Sequence, residues 1–381
     1  MSLIGLLEAL DYSRVDVDLF VYRHTGELMG MIPPQVHLLP EIPEYAQIER
    51  PMKEVIRDGY LRIALARLTA RVKNRRFERR RHPRENGSVF SFVSRQVVTC
   101  LPEINPGKEY DLAVSFLTPH DFVLKKVRAG KKAAWIHSDY SYLDIDAGFE
   151  FPVWSSYDRI AAISESVKRS FLSVFPSLED RVVVIPNLLP AGRIATLYDS
   201  ISVTEVEREM PRVSGRINLL SVGRFCHAKN YDNVPDICRR LRDMGADVSW
   251  FLIGYGTDEA LIRSRIEEEG MGAYVRILGK KDNPLPYIKA CDLYVQPSRY
   301  EGVPVTVREA QALGKPVAVT AFGTADSVIT CKTDGAIVPI DNEGCAEGLA
   351  RLIADPDFMK GPGSGFALKR EGISDTFMDL I

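Results

Sequence analysis

The chain has no C-x-x-C pair: its six cysteines lie at positions 100, 226, 238, 291, 331 and 345, and no spacing lets a histidine complete a zinc site. A disulfide framework is not expected. No uninterrupted apolar run approaches the ~20 residues that cross a bilayer, and the amino terminus lacks the basic start and apolar run of a signal peptide. The cytosol is the expected compartment. An excess of charge of one sign is also missing, since 49 Lys and Arg face 51 Asp and Glu for a net charge of -2. Global attraction to nucleic acid is therefore not expected, although a local basic patch remains open. What is present is the usage of an ordinary folded chain, 45% hydrophobic and 26% charged. At about 100 to 200 residues per domain, 381 residues predict two domains.

From residue 217 onward, short β-branched runs alternate with helical stretches. The runs are Ile217 to Val222, Val248 to Ile253, Val275 to Leu278, Asp292 to Gln296, Val317 to Thr320 and Ala336 to Ile340. Nearly continuous apolar character marks parallel strands covered on both faces, which predicts a doubly wound α/β domain. The first half repeats the rhythm less regularly, at Val15 to Val21, Leu112 to Phe116, Ala133 to Ile136, Arg159 to Ile163 and Val182 to Ile185. The expected organisation is a first domain over 1–200, a linker over 201–216, a second domain over 217–356 and a tail over 357–381 that returns to the first domain. Pro190, Gly192, Pro211 and Gly215 among polar residues mark the linker region. Ser2 to Leu10 has leucines at helical spacing, so the chain opens on a helix where a doubly wound domain ordinarily opens on a central strand and a glycine-rich turn.

The densest chemical signal is Tyr300-Glu301-Gly302-Val303-Pro304-Val305-Thr306-Val307-Arg308-Glu309-Ala310, directly after a predicted strand. Pro304 suits the first turn of a helix, with the amides of Gly302 and Val303 free to face an anion and both glutamates directed to the ligand crevice of an open α/β sheet. Taken alone, Glu301 and Glu309 also fit a helix-start carboxylate and a surface glutamate. A second cluster, Gly223-Arg224-Phe225-Cys226-His227-Ala228-Lys229, offers Arg224 and Lys229 as a diphosphate clamp or as two solvated cations. Gly254 and Gly256, flanking Tyr255, follow a strand and permit close approach of a ligand to the backbone, and Gly279 closes the next strand.

In order and spacing these clusters resemble the retaining, nucleotide-sugar-dependent glycosyltransferases of family 4, which have the two-domain GT-B fold. The resemblance rests on the E-x7-E element at Glu301 and Glu309, the R-x4-K pair at Arg224 and Lys229, and the run from Glu309 to Val317. Trp135-Ile136-His137-Ser138-Asp139, Ala162-Ile163-Ser164-Glu165-Ser166 and Ile185-Pro186-Asn187 add to it in the first half. It covers about residues 3 to 355 and departs at the start, where the family's first strand and glycine-rich loop are missing. It implies two Rossmann-like domains facing a cleft, a nucleotide diphosphate sugar as donor, no cofactor and no metal. It gives Glu309 the donor ribose, Glu301 the hydroxyls of the transferred sugar, and Arg224 and Lys229 the diphosphate. Gly254, Gly256, Gly279, Gly302, Val303 and Pro304 complete the donor site, and His137 reaches the transferred sugar from the first domain. Asp16 and Asp18, and Asp144 and Asp146, are read as a strand entry and a loop rather than metal ligands. The acceptor is a carbohydrate or lipid-linked molecule. Other readings are an inactive GT-B subunit that binds nucleotide sugar or a partner, and a nucleotide-sugar epimerase.

Arg71 to Arg84 holds many Lys and Arg residues against the single Glu78. It reads either as a solvated helix face or as a peripheral contact with anionic membrane lipid. Nucleic acid is not expected there, since Phe77 is the only stacking ring.

Overall fold

The computed structural model describes residues 2–83, 86–189, 203–330, 333–362 and 373–380. Arg84, Pro190, Gly192, the first two residues of the expected linker and much of the tail lie outside the described residues. The chain divides into two compact units, one of Leu6–Asn187 with Arg370–Ile381 and one of Leu188–Lys369 with Met1–Gly5.

In the first unit, β1 (Asp18–Leu19) pairs in parallel with β2 (His37–Leu38). A separate parallel sheet runs in the order β3 (Tyr110–Ser115), β4 (Ala129–Ile136), β5 (Arg159–Ala162), β6 (Val182–Val184). The strand expected over Val15 to Val21 contracts to two residues because the next aromatic rings leave the ladder. Phe20 packs edge-on against Tyr45, and Tyr22 against Phe122. β1 meets β3 through side chains alone: the Asp18 carboxylate accepts hydrogen bonds from the Tyr110 hydroxyl at 2.6 Å and Lys108 Nζ at 3.0 Å. A strand pairing with both would join the two sheets, and none is present among the described residues. The expected basic run falls on the Leu61–Arg81 helix, which buries Ile63, Ala64, Ala70 and Phe77. The Ile373–Met378 helix places the Phe377 ring 6.2 Å from that of Trp135.

The second unit is a six-stranded parallel sheet of β7 (Ile217–Val222), β8 (Val248–Ile253), β9 (Val275–Gly279), β10 (Leu293–Gln296), β11 (Val317–Thr320) and β12 (Ala336–Val338). Their order is β12-β11-β10-β7-β8-β9. Alternation along each strand sends side chains to opposite faces. Leu220, Val222, Phe251 and Ile253 enter one core cluster, while Leu219, Trp250 and Leu252 enter the other. Two covered faces explain why these strands read as unbroken apolar runs. β10 begins one residue after Asp292, whose amide donates to the Asn218 carbonyl at 2.9 Å and whose carboxylate accepts from the Asn218 amide at 2.8 Å and from Arg212 at 3.0 Å. β12 stops before Pro339, which has no amide to donate.

The two units divide at residues 187 and 188, and part of the expected linker is packed structure. Val203–Glu209 is a helix, and Val206 and Met210 sit in the same core cluster as Leu285 and Tyr287. Glu209 accepts from the Tyr287 hydroxyl at 2.6 Å. Polar residues here face outward from a packed element. Met210→Ala should therefore destabilise the second unit by about 2 to 5 kcal/mol, the range for emptying a buried methionine site. A urea midpoint unchanged from wild type would return the segment to a linker.

Candidate functional site

The strand order reverses between β10 and β7, and such a reversal opens a crevice beyond the carboxyl ends of the strands where α/β sheets bind ligands. The loop after β7 carries Arg224 and Lys229, and the loop after β10 carries Glu301. They meet there. Lys229 Nζ lies 2.6 Å from Glu301 Oε1, and both side chains are largely buried. The same oxygen accepts from the Ser298 hydroxyl at 2.6 Å and from Gln296 Nε2 at 3.1 Å. The Gln296 carbonyl is occupied by the Tyr294 hydroxyl at 2.9 Å, which turns its amide nitrogen toward the carboxylate. Arg224 is exposed and makes no hydrogen bond or ion pair among the described residues.

The two loops are locked by backbone and charge. The Arg299 amide donates to the Ala228 carbonyl at 2.8 Å, and its guanidinium binds both oxygens of Asp232, at 2.9 and 2.7 Å. The Thr324 hydroxyl donates to the Glu301 carbonyl at 2.9 Å, tying in the loop after β11. Arg308, to which the sequence gives no role, holds this loop as well. It donates to the Ser327 carbonyl at 2.6 Å from the helix that follows Glu301.

That helix spans Val305–Ala312 with Pro304 at its N-cap, so Pro304 precedes the first turn where the sequence places it within that turn. The helix's own unpaired first-turn amides are those of Val305 and Thr306. Together with Gly302 and Val303 they make no hydrogen bond among the described residues, leaving four donors in one stretch of chain. Glu309, on the same helix, is 5% exposed, and its carboxyl has no hydrogen-bond partner among the described residues. Burial raises its carboxyl from 4.5 to about 7.

Two of the glycines are required by the packing of the loops themselves. A Cβ at Gly254 would stand 1.9 Å from the Gly223 carbonyl oxygen, and one at Gly256 would stand 2.1 Å from that of Phe225. The close approach they permit is that of the loop after β7, which bonds back through the Phe225 amide to the Tyr255 carbonyl at 2.8 Å. Gly279 has open space around it and is required by its φ of 74°.

His137 belongs to the first unit. Its Nε2 lies 2.7 Å from the Phe116 carbonyl oxygen, which can only accept, so that nitrogen carries the proton. Burial lowers the ring's affinity for a second proton, which leaves Nδ1 as an acceptor near neutral pH. In Ala162-Ile163-Ser164-Glu165-Ser166, Ser164 caps the Glu165–Val174 helix by accepting from the Val167 amide. Asp146 likewise caps the Ala147–Trp154 helix. The structure thus brings Lys229 and Glu301 together at the reversal, with Arg224 and Glu309 on the same loop and helix, and packs Gly254 and Gly256 against the loop after β7. Sequence reasoning missed Gln296, Ser298, Arg299 and Thr324. Only Gln296, polar at the end of an apolar strand, and the nearby Ser298 gave a visible signal.

Residues 203–363 match the model of the family described as Glycosyl transferases group 1. The amylovoran biosynthesis glycosyltransferase AmsK of Erwinia amylovora is 28% identical over 145 residues, covering 36% of this chain and 35% of that protein. The lipopolysaccharide core biosynthesis glycosyltransferase LpsE of Rhizobium meliloti is 24% identical over 205 residues, covering 52% of this chain and 57% of that protein. The chain thus spans from a third to just over half of these relatives' length. Among solved structures, HepE of Anabaena in complex with UDP superposes with a TM-score of 0.63 at 14% identity, over 99% of this chain and 94% of that one. Sucrose-phosphate synthase of Thermosynechococcus elongatus gives 0.62 at 18% identity, over 98% and 87%. The fold is the α/β fold of the GT-B glycosyltransferases, with two Rossmann-like domains.

Glu309 has a direct consequence for stability. The folded protein holds its proton up to about pH 7, whereas the unfolded chain releases it near 4.5. Its contribution is therefore full below pH 4.5 and is lost as pH rises through 7. Urea denaturation should show Glu309→Gln gaining stability relative to wild type between pH 5 and pH 8. A constant difference between the two proteins across that range would mean that Glu309 is ionised throughout.

Proposed function

We propose that this protein is a retaining glycosyltransferase that moves a hexose or N-acetylhexosamine from a nucleotide diphosphate donor to a carbohydrate or lipid-linked acceptor in surface polysaccharide assembly. The observation that carries the reading is the junction of Lys229 and Glu301 at the strand-order reversal, beside the free cation of Arg224. A diphosphate needs cations and amide donors where its charge grows as the glycosidic bond breaks. Arg224, Lys229 and the amides from Gly302 to Thr306 supply both. A sugar needs acceptors for its hydroxyls, and Glu301 and Glu309 are carboxylates suited to that work. The amylovoran and lipopolysaccharide-core relatives support the polysaccharide setting, and the UDP-bound neighbour makes UDP-sugars the first donors to try.

In this reading the donor enters with its ribose at Glu309 and its diphosphate between Arg224 and Lys229. The acceptor oxygen attacks the anomeric carbon on the face that the phosphate leaves. The carbon–oxygen bond to phosphate breaks, the bond to the acceptor forms, and the acceptor proton passes to the departing phosphate. Configuration is retained without a metal or a covalent enzyme intermediate. Neutral His137 orients the transferred sugar through Nδ1. The protein works in the cytosol, with the Arg71 to Arg84 run as its peripheral contact with the inner face of the membrane.

The test is transfer from a panel of nucleotide sugars, with calorimetry of nucleoside diphosphate binding. Binding without transfer to any acceptor would favour the inactive-subunit reading, and no binding at all would end the proposal. Glu309→Ala should weaken nucleoside diphosphate binding by about 1.5 to 3 kcal/mol, the range for hydrogen bonds to a charged group. Since only the carboxylate accepts from two hydroxyls at once, wild-type affinity should rise with pH through about 7. Replacing both Arg224 and Lys229 with Ala should cost far more affinity for the nucleoside diphosphate than for the uncharged nucleoside. Equal losses for both ligands would make the pair structural.

A further inference from the structure

The Leu61–Arg81 helix buries one face and leaves the opposite one bare. Leu61, Leu65, Leu68 and Val72 recur at the spacing of a single helical stripe, and they are 62%, 62%, 52% and 45% exposed. Ile63, Ala70 and Phe77, on the far side, are 3%, 0% and 8% exposed, so the leucines are surplus to the core. The stripe does not end at Val72. Continued by the same helical spacing it runs into Arg75, Arg76 and Arg79, all exposed. Arg62, Arg71, Lys73, Arg80 and Arg81 are exposed too.

These cations are uncompensated. Glu78 is the helix's only acid, and its carboxylate accepts from the amides of Asn74 and Asn86, at 2.9 and 3.2 Å, rather than from an arginine. Among the described residues none of the eight exposed cations forms an ion pair. Arg67, the ninth basic residue, is used inside the unit, donating to the carbonyls of Gln47 and Arg50.

We propose that this face lies on an anionic lipid surface, with Leu61, Leu65, Leu68 and Val72 inserted among the acyl chains at the headgroup boundary and the arginines of the later turns on lipid phosphates. An exposed apolar stripe that runs into exposed arginines, on a helix too polar to span, suits a helix that lies in the interface plane. Charge decides between occupants: a second copy of this chain would bring a second Arg75, Arg76 and Arg79 to the same face, whereas an anionic bilayer complements them. The inference concerns the first unit alone and stands whether or not the second unit transfers sugar.

The experiment is flotation of the full chain with vesicles of phosphatidylcholine, with and without phosphatidylglycerol. Wild type should float with the anionic vesicles, release as salt rises, and ignore added inorganic phosphate, which would compete only if a free anion were the ligand. Leu65→Gln with Leu68→Gln lies on the solvent face, where substitutions leave folding intact, and should lower the partition coefficient about tenfold or more. Arg75→Gln with Arg76→Gln and Arg79→Gln should lower it similarly and flatten its salt dependence. A Leu65→Trp protein should shift its emission to the blue on anionic vesicles. Flotation indifferent to lipid charge, leucine variants that float like wild type, or a stripe that instead holds a dimer dissociated by Leu65→Gln with Leu68→Gln would each overturn the proposal.

Discussion

The all-parallel pairing of β7 with β10 on one side and β8 on the other is the constraint on which the candidate site depends. Parallel strands place all their following loops at one edge, and a reversal of order separates the crossover helices there. Lys229 and Glu301 lie 72 positions apart in the chain, yet they meet because their strands are neighbours across that reversal. The ion pair could not form from either loop alone. Arg299 and Thr324 then hold the three loops in register, so the geometry is set before any ligand arrives.

Legibility followed burial. β7, β8 and β11 have the bounds that their apolar runs predict, since both faces of each strand are covered and every position reports the core. β1 shrank because Phe20 and Tyr22 look like strand residues to a propensity argument but pack as rings against Tyr45 and Phe122. In the segment before Ile217, the packed helix was hidden by composition. Its polar residues outnumber the two, Val206 and Met210, that bury into the core. The leucines of the Leu61–Arg81 helix were invisible as a surface feature, because leucine at helical spacing signals a core face and only exposure shows that this stripe faces away from it.

At the site, the residues that carry charge were visible and those that aim the charge were not. Glu301, Lys229 and Arg224 stand out by type and spacing. Gln296 and Ser298 are fully buried polar residues; their place after an apolar strand shows in the sequence, but the contact of both with Glu301 does not. Gly254 and Gly256 were recognised as places of close approach, but the partner that approaches is the neighbouring loop. A glycine reports that a Cβ has no room, without saying what takes the room.

The two glutamates of the E-x7-E element show how one residue type is set to two tasks. Three donors converge on a single oxygen of Glu301, which fixes its direction and leaves its other oxygen without a partner among the described residues. Glu309 has no such donors there and keeps its proton to about pH 7 because burial disfavours the charge. Once ionised, a buried carboxylate gains more from a donor than an exposed one would, since water is no longer competing for it. The same burial weakens the fold whenever the site is empty and the carboxyl ionised. In the proposed reading, a ligand that donates to this carboxylate would stabilise the second unit by the same contact through which it is bound.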